Sequence, residues 1–113
     1  MAEREDDESR GPVFRAEVRR DGPSAEVALV GEIDAATSPL LREAVVPPLA
    51  TGWVDLDLDM AGVTFVDSQG LRVLIEVARS ARGRLTLRGV RPPVRRLFDL
   101  TGVVSALPNL ALS

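Results

Sequence analysis

Ser68 sits in the run Asp67-Ser68-Gln69-Gly70-Leu71, just ahead of the most regular apolar stripe in this 113-residue chain. A hydroxyl and a carboxylate at a helix start can do two kinds of work. The first is capping: Ser68 as the N-cap accepts a backbone hydrogen bond worth about 1 kcal/mol, and Asp67 adds negative charge near the positive helix end. The second is acceptance of a phosphoryl group, which sets about −1.5 to −2 charges against the unpaired N–H groups of the first turn. Gly70 costs up to about 1 kcal/mol relative to Ala in a helix. Close approach of another chain or a nucleotide to the backbone would account for that cost. On these five residues alone, capping is the simpler reading.

Composition narrows the remaining chemistry. Cys, His, Tyr and Lys are absent, so all 14 cations are Arg, against 17 acids and a net charge of −3. Without Cys there is no disulfide, thiolate metal site or Cys nucleophile. Without His, Ser–His–Asp hydrolysis is excluded. Without Lys there is no P-loop, and no glycine-rich phosphate loop precedes a helix. Asp34, Asp55, Asp57, Asp59 and Asp67 carry oxygens of the kind Mg²⁺ takes. Yet Asp55, Asp57 and Asp59 alternate along one strand face, about 7 Å apart with no donor between them, as a solvated face would. No metal, cofactor or catalytic residue is expected.

Charge divides the chain. Residues 1–10 carry five acids and two Arg, without an apolar cluster, and read as a disordered acidic tail ahead of one domain over 11–113. Residues 11–67 sum to −6 and residues 68–113 to +6. Arg79, Arg82, Arg84, Arg88, Arg91, Arg95 and Arg96 could meet an anion. The folded domain nevertheless sums to zero, and aromatics are only 4%, too few for base stacking, so no nucleic acid is expected. The N-terminus lacks a signal-peptide pattern and no stretch approaches about 18 apolar residues. The expectation is a soluble, cytoplasmic chain without membrane insertion.

The elements that must hold Asp67–Leu71 follow from periodicity. Val13–Arg20 reads as a strand with Phe14, Ala16 and Val18 on one face, Asp21–Ser24 as a turn, and Glu26–Val30 as the hairpin partner. Gly31-Glu32-Ile33-Asp34 leads into a loop. A first helix starts at Thr37-Ser38-Pro39 with Ser38 as its cap, and Pro47-Pro48 should end or kink it early. Val54, Leu56, Leu58 and Met60 make the clearest strand, followed by Gly62–Val66 as a loop. Leu71, Leu74, Ile75, Ala78 and Ala81 stripe a second helix that Gly83 stops. Arg84–Arg88 is a strand, and Pro92-Pro93 opens a third helix with Val94, Leu97 and Phe98 inward and Gly102 at its end. Val103–Leu107 reads equally as a short strand or an irregular tail.

A strand wet on one side argues for helices on one face only. The architecture expected is α/β: a small mixed sheet of four to five strands, antiparallel first and parallel later, with three or so helices on one face.

Three segments in order then resemble a known family, the STAS domains, and within it the bacterial anti-sigma factor antagonists. Gly31–Thr37 is similar to the segment leading into the first helix. Leu58-Asp59 with Val63–Leu71 resembles the phosphorylation-site motif, and Leu87–Phe98 the later strand and helix. The resemblance covers about Val13–Gly102. It implies a binder and substrate rather than an enzyme. The unphosphorylated chain would bind an anti-sigma factor that is also a serine kinase, freeing a sigma factor. Phosphorylation of Ser68 would dissociate the complex, and a serine phosphatase would reset it. By the same resemblance Asp34 and Thr37 join Asp67, Ser68, Gln69, Gly70 and Leu71 at the partner surface, although either aspartate could equally be a loop cap. A homodimer is compatible with this reading. Gln69 departs from the small residue more usual in the motif and leaves Ser68 its only hydroxyl, while Pro47-Pro48 shortens the first helix. The alternative within the fold is a STAS subunit that regulates a membrane transporter's ATPase without phospho-switching.

Overall fold

The computed structural model describes residues 14–113, so the acidic segment 1–10 lies outside the described residues. Chain order is β1 (Arg15–Asp21), β2 (Ser24–Ile33), α1 (Ser38–Thr51), β3 (Asp55–Val66), α2 (Ser68–Ser80), β4 (Leu85–Arg88), α3 (Pro92–Thr101), α4 (Val103–Ala106) and β5 (Leu110–Leu112). The strands form one sheet in the order β1-β2-β3-β4-β5. The β1–β2 hairpin is antiparallel and every later pair is parallel. Each parallel crossover steps one strand in the same direction, so right-handed connections put their helices on the same side. The side chains agree: Val27, Leu29, Leu56, Leu58, Met60, Leu85 and Leu87 are buried with Leu41, Val45, Leu74, Val77 and Phe98 of the helices. This is the one-sided mixed sheet expected, with five strands and four helices among the described residues.

Several boundaries differ from the sequence reading. The first concerns Gly62–Val66, which is the second half of β3 and not a loop. Ala28 pairs with Asp59 but Val30 with Gly62, and Gly31 with Val63 but Glu32 with Phe65. At both places β3 inserts an extra residue, the two-against-one count of a β-bulge. Met60, Val63 and Val66, three apart, therefore all face the core. β2 likewise runs on to Ile33.

Pro47 and Pro48 lie inside α1, which continues to Thr51. Leu41, Val45 and Leu49 form one buried stripe spanning the prolines, and that packing outweighs the lost backbone bonds. The N-cap is Thr37, and Ser38 is the first helical residue, itself buried. Helix α2 ends at Ser80 before Gly83, and a Cβ on Gly83 would lie 2.1 Å from Asp55 Oδ1, so this glycine answers to a close approach and not to the helix stop. Val103–Ala106 is helical, and the last strand follows at Leu110.

Candidate functional site

Parallel strands β2 and β3 end side by side at Ile33 and Val66, with α1 and α2 starting just beyond. Ligands and partners gather at such carboxyl edges because loops and helix N-termini meet there. Asp67, in extended conformation, is the N-cap of α2: its Oδ1 accepts from the Gly70 N–H at 2.9 Å. Its own N–H donates to the Ile33 carbonyl at 3.1 Å, tying the start of α2 to the end of β2. Ser68 is therefore the first helical residue and not the cap, which corrects the sequence reading. Its side chain is exposed, as is Gln69, while Leu71 points into the core.

Gly70 is explained from within the chain. A Cβ there would stand 2.2 Å from the Ile33 carbonyl oxygen, so the chain that closely approaches the helix backbone is β2 itself. The cost of glycine in the first turn is the cost of this seam.

Asp34 and Thr37 sit in the adjacent loop. Asp34 Oδ1 accepts from the Ala36 and Thr37 N–H groups, each at 3.0 Å. Thr37 Oγ1 donates to the Glu32 carbonyl at 2.6 Å and accepts from the Asp34 N–H at 2.9 Å. Both residues shape the loop, and the Ile33 carbonyl places that loop against the Asp67–Gly70 turn. Asp34, Thr37 and the run Asp67–Leu71 are thus brought to one end of the sheet, with Ser68 and Gln69 exposed and Gly70 and Leu71 buried.

The strand aspartates are occupied elsewhere. Asp55 Oδ1 accepts from the Arg84 N–H at 2.7 Å, and Asp59 Oδ1 from the Ala61 N–H at 3.0 Å. Asp57 Oδ1 accepts from Arg88 Nε at 2.6 Å, and Arg88 Nη2 also bonds Glu26 across the open sheet face. Asp57, by that hydrogen bond first and by its charge second, raises the Arg88 guanidinium above its ordinary value. Arg91, counted with the cationic run, donates from Nε to the Ala61 carbonyl. Sequence reasoning missed Ile33, whose carbonyl joins the two loops, and the exposure of Phe65 (48%) and Val30 (39%) near the same edge. The failed alternation at Thr64-Phe65 was the available signal.

Fold and site define a small α/β domain that offers a serine hydroxyl at a helix start, held by a capping aspartate and a neighbouring strand. A family model described as "Mlab, STAS domain" matches residues 16–108, and the chain belongs to the STAS domain family. It is 34% identical over 93 residues to the anti-sigma-B factor antagonist of Bacillus subtilis (strain 168), covering 80% of this chain and 84% of that protein. The crystal structure of an anti-sigma factor antagonist from Mycobacterium paratuberculosis is similar at a TM-score of 0.74 and 28% identity, over 88% of this chain and 86% of that one. The unphosphorylated form of the anti-sigma factor antagonist SpoIIAA shares the fold at a TM-score of 0.72 and 21% identity, over 89% and 88% of the two chains.

Proposed function

We propose that this chain is an anti-sigma factor antagonist whose partner binding is switched at Ser68. With Ser68 unmodified it binds an anti-sigma factor that is also a serine kinase, and a sigma factor is released. Phosphorylation of Ser68 dissociates the pair, and a serine phosphatase restores it. The chain is a binder and a substrate, acting in the cytoplasm; among the described residues no helix is long and apolar enough to cross a membrane.

One observation carries the proposal: the Ser68 side chain is exposed at the first residue of α2, while the cap is made by Asp67. Charge added at Ser68 faces the positive end of a helix and breaks no hydrogen bond of the described fold. The same charge at a docked interface meets desolvation and repulsion, and each 1.4 kcal/mol lost weakens binding about tenfold. Similarity to the two named antagonists above 25% identity supports the partner class.

The test is to recover the chain from its own cells in exponential and in stationary growth and map phosphate by mass spectrometry. Phosphate at Ser68 whose occupancy changes with the condition is expected. Phosphate confined to other hydroxyls, or none in either state, would refute the switch and favour the transporter-ATPase reading.

A further inference from the structure

Arg72 is an exposed residue of α2, one turn beyond Ser68. Residues four apart on a helix are neighbours, with Cβ atoms about 5–6 Å apart, so Arg72 has Ser68 behind it and Glu76 ahead. Helical side chains lean towards the N-terminus, which aims Arg72 at Ser68. Its other neighbour is already engaged: Arg42 of α1 places both Nε and Nη2 at 2.8 Å from Glu76 Oε1. Asp67 Oδ1 is committed to the Gly70 N–H. Among the described residues Arg72 makes no ion pair. Among the described residues Arg72 is thus a cation without an ion pair, one turn from the exposed hydroxyl that begins the helix.

Resting on the reading of Ser68 as phosphoacceptor, we propose that Arg72 is the intramolecular receptor for the phosphate on Ser68. The planar guanidinium fork matches two phosphate oxygens in a charge-assisted, two-point hydrogen bond that an ammonium cannot make. Phosphorylation then alters the docking surface twice. It adds negative charge at Ser68, and it withdraws a cation that the unmodified surface offers to a partner. The Arg72 clamp also favours the phosphate dianion, against the opposing carboxylates of Asp67 and of Asp34 in the neighbouring loop.

The test uses the full chain with phosphoserine installed at position 68 during translation, followed by ³¹P NMR across pH at low salt. The second phosphate ionisation should lie about 0.2–0.4 pH unit lower in the otherwise wild-type chain than in Arg72→Ala. Arg72→Lys should fall between them. Arg79→Ala removes another exposed Arg of α2 nearly two turns further on and should change nothing. The difference should vanish in about 1 M salt. Equal ionisation in wild type and Arg72→Ala would overturn the proposal, as would an equal shift from Arg79→Ala. Because the phosphate is installed without a kinase, this result stands apart from the cellular mapping. A chain never phosphorylated in cells refutes the switch, whereas a silent Arg72→Ala refutes only the clamp.

Discussion

At Ser68 the structure separates two duties that a serine at a helix start commonly combines. Asp67 holds the cap, so the proposed modification of Ser68 would leave the cap intact. Asp67→Ala should lower unfolding free energy by about 1 kcal/mol in urea melts, whereas Ser68→Ala should stay within about 0.5 kcal/mol of wild type. A larger loss from Ser68→Ala than from Asp67→Ala would contradict this division. Gly70→Ala tests the seam with β2: a methyl group 2.2 Å from a carbonyl oxygen forces backbone to move, at about 2–3 kcal/mol. From sequence the pentapeptide was legible as a helix start with a candidate acceptor. Which residue capped it was not, because Asp and Ser are nearly equal N-caps and only the extended backbone at Asp67 decides.

Among the elements, α2 was the most legible, since its apolar stripe repeats at helical spacing and buries Leu71, Leu74, Val77 and Ala78. The failures have physical causes. Two bulges in β3 break the period of two at Ala61-Gly62 and Thr64-Phe65, so half a strand looks like a loop. In α1, local propensity pointed to an early stop, and burial of Leu49 beyond the prolines reversed it. Pro47 is exposed, so its ring serves no core contact that would be lost on removal. Pro47→Ala should therefore raise stability by about 1–2 kcal/mol, seen as a higher urea midpoint at unchanged m-value. A destabilised Pro47→Ala would show that the proline is needed for the shape of α1. The terminal strand β5, three residues long, is too short for any periodic signal.

For the whole molecule, the sheet has one face on the helices and one face held by charge. Arg88 joins Asp57 and Glu26 there, and Arg19 reaches Glu26 at 3.5 Å. The two chain halves of opposite sign, visible in the sequence, meet across this face. Because the Arg88 value is raised, its contribution is complete below the ordinary arginine range and is lost only as pH climbs through the higher folded value, so pH near neutrality leaves it constant. Arg88→Ala should lower Tm by leaving neighbouring carboxylates opposed, and added salt should restore part of the loss. A Tm loss indifferent to salt would show that packing of the Arg88 stem, not its charge, matters. The carboxyl edge of the sheet is where the residues of the proposed Ser68 switch converge.

The most direct test of that switch uses Ser68→Ala and Ser68→Asp chains as paired baits in lysate of the source cells. Retention of a serine kinase of the anti-sigma type by Ser68→Ala and not by Ser68→Asp is the predicted result. Equal retention of that kinase by both baits, or of a transporter ATPase by both, would contradict it and return Ser68 to an ordinary surface residue at a helix start.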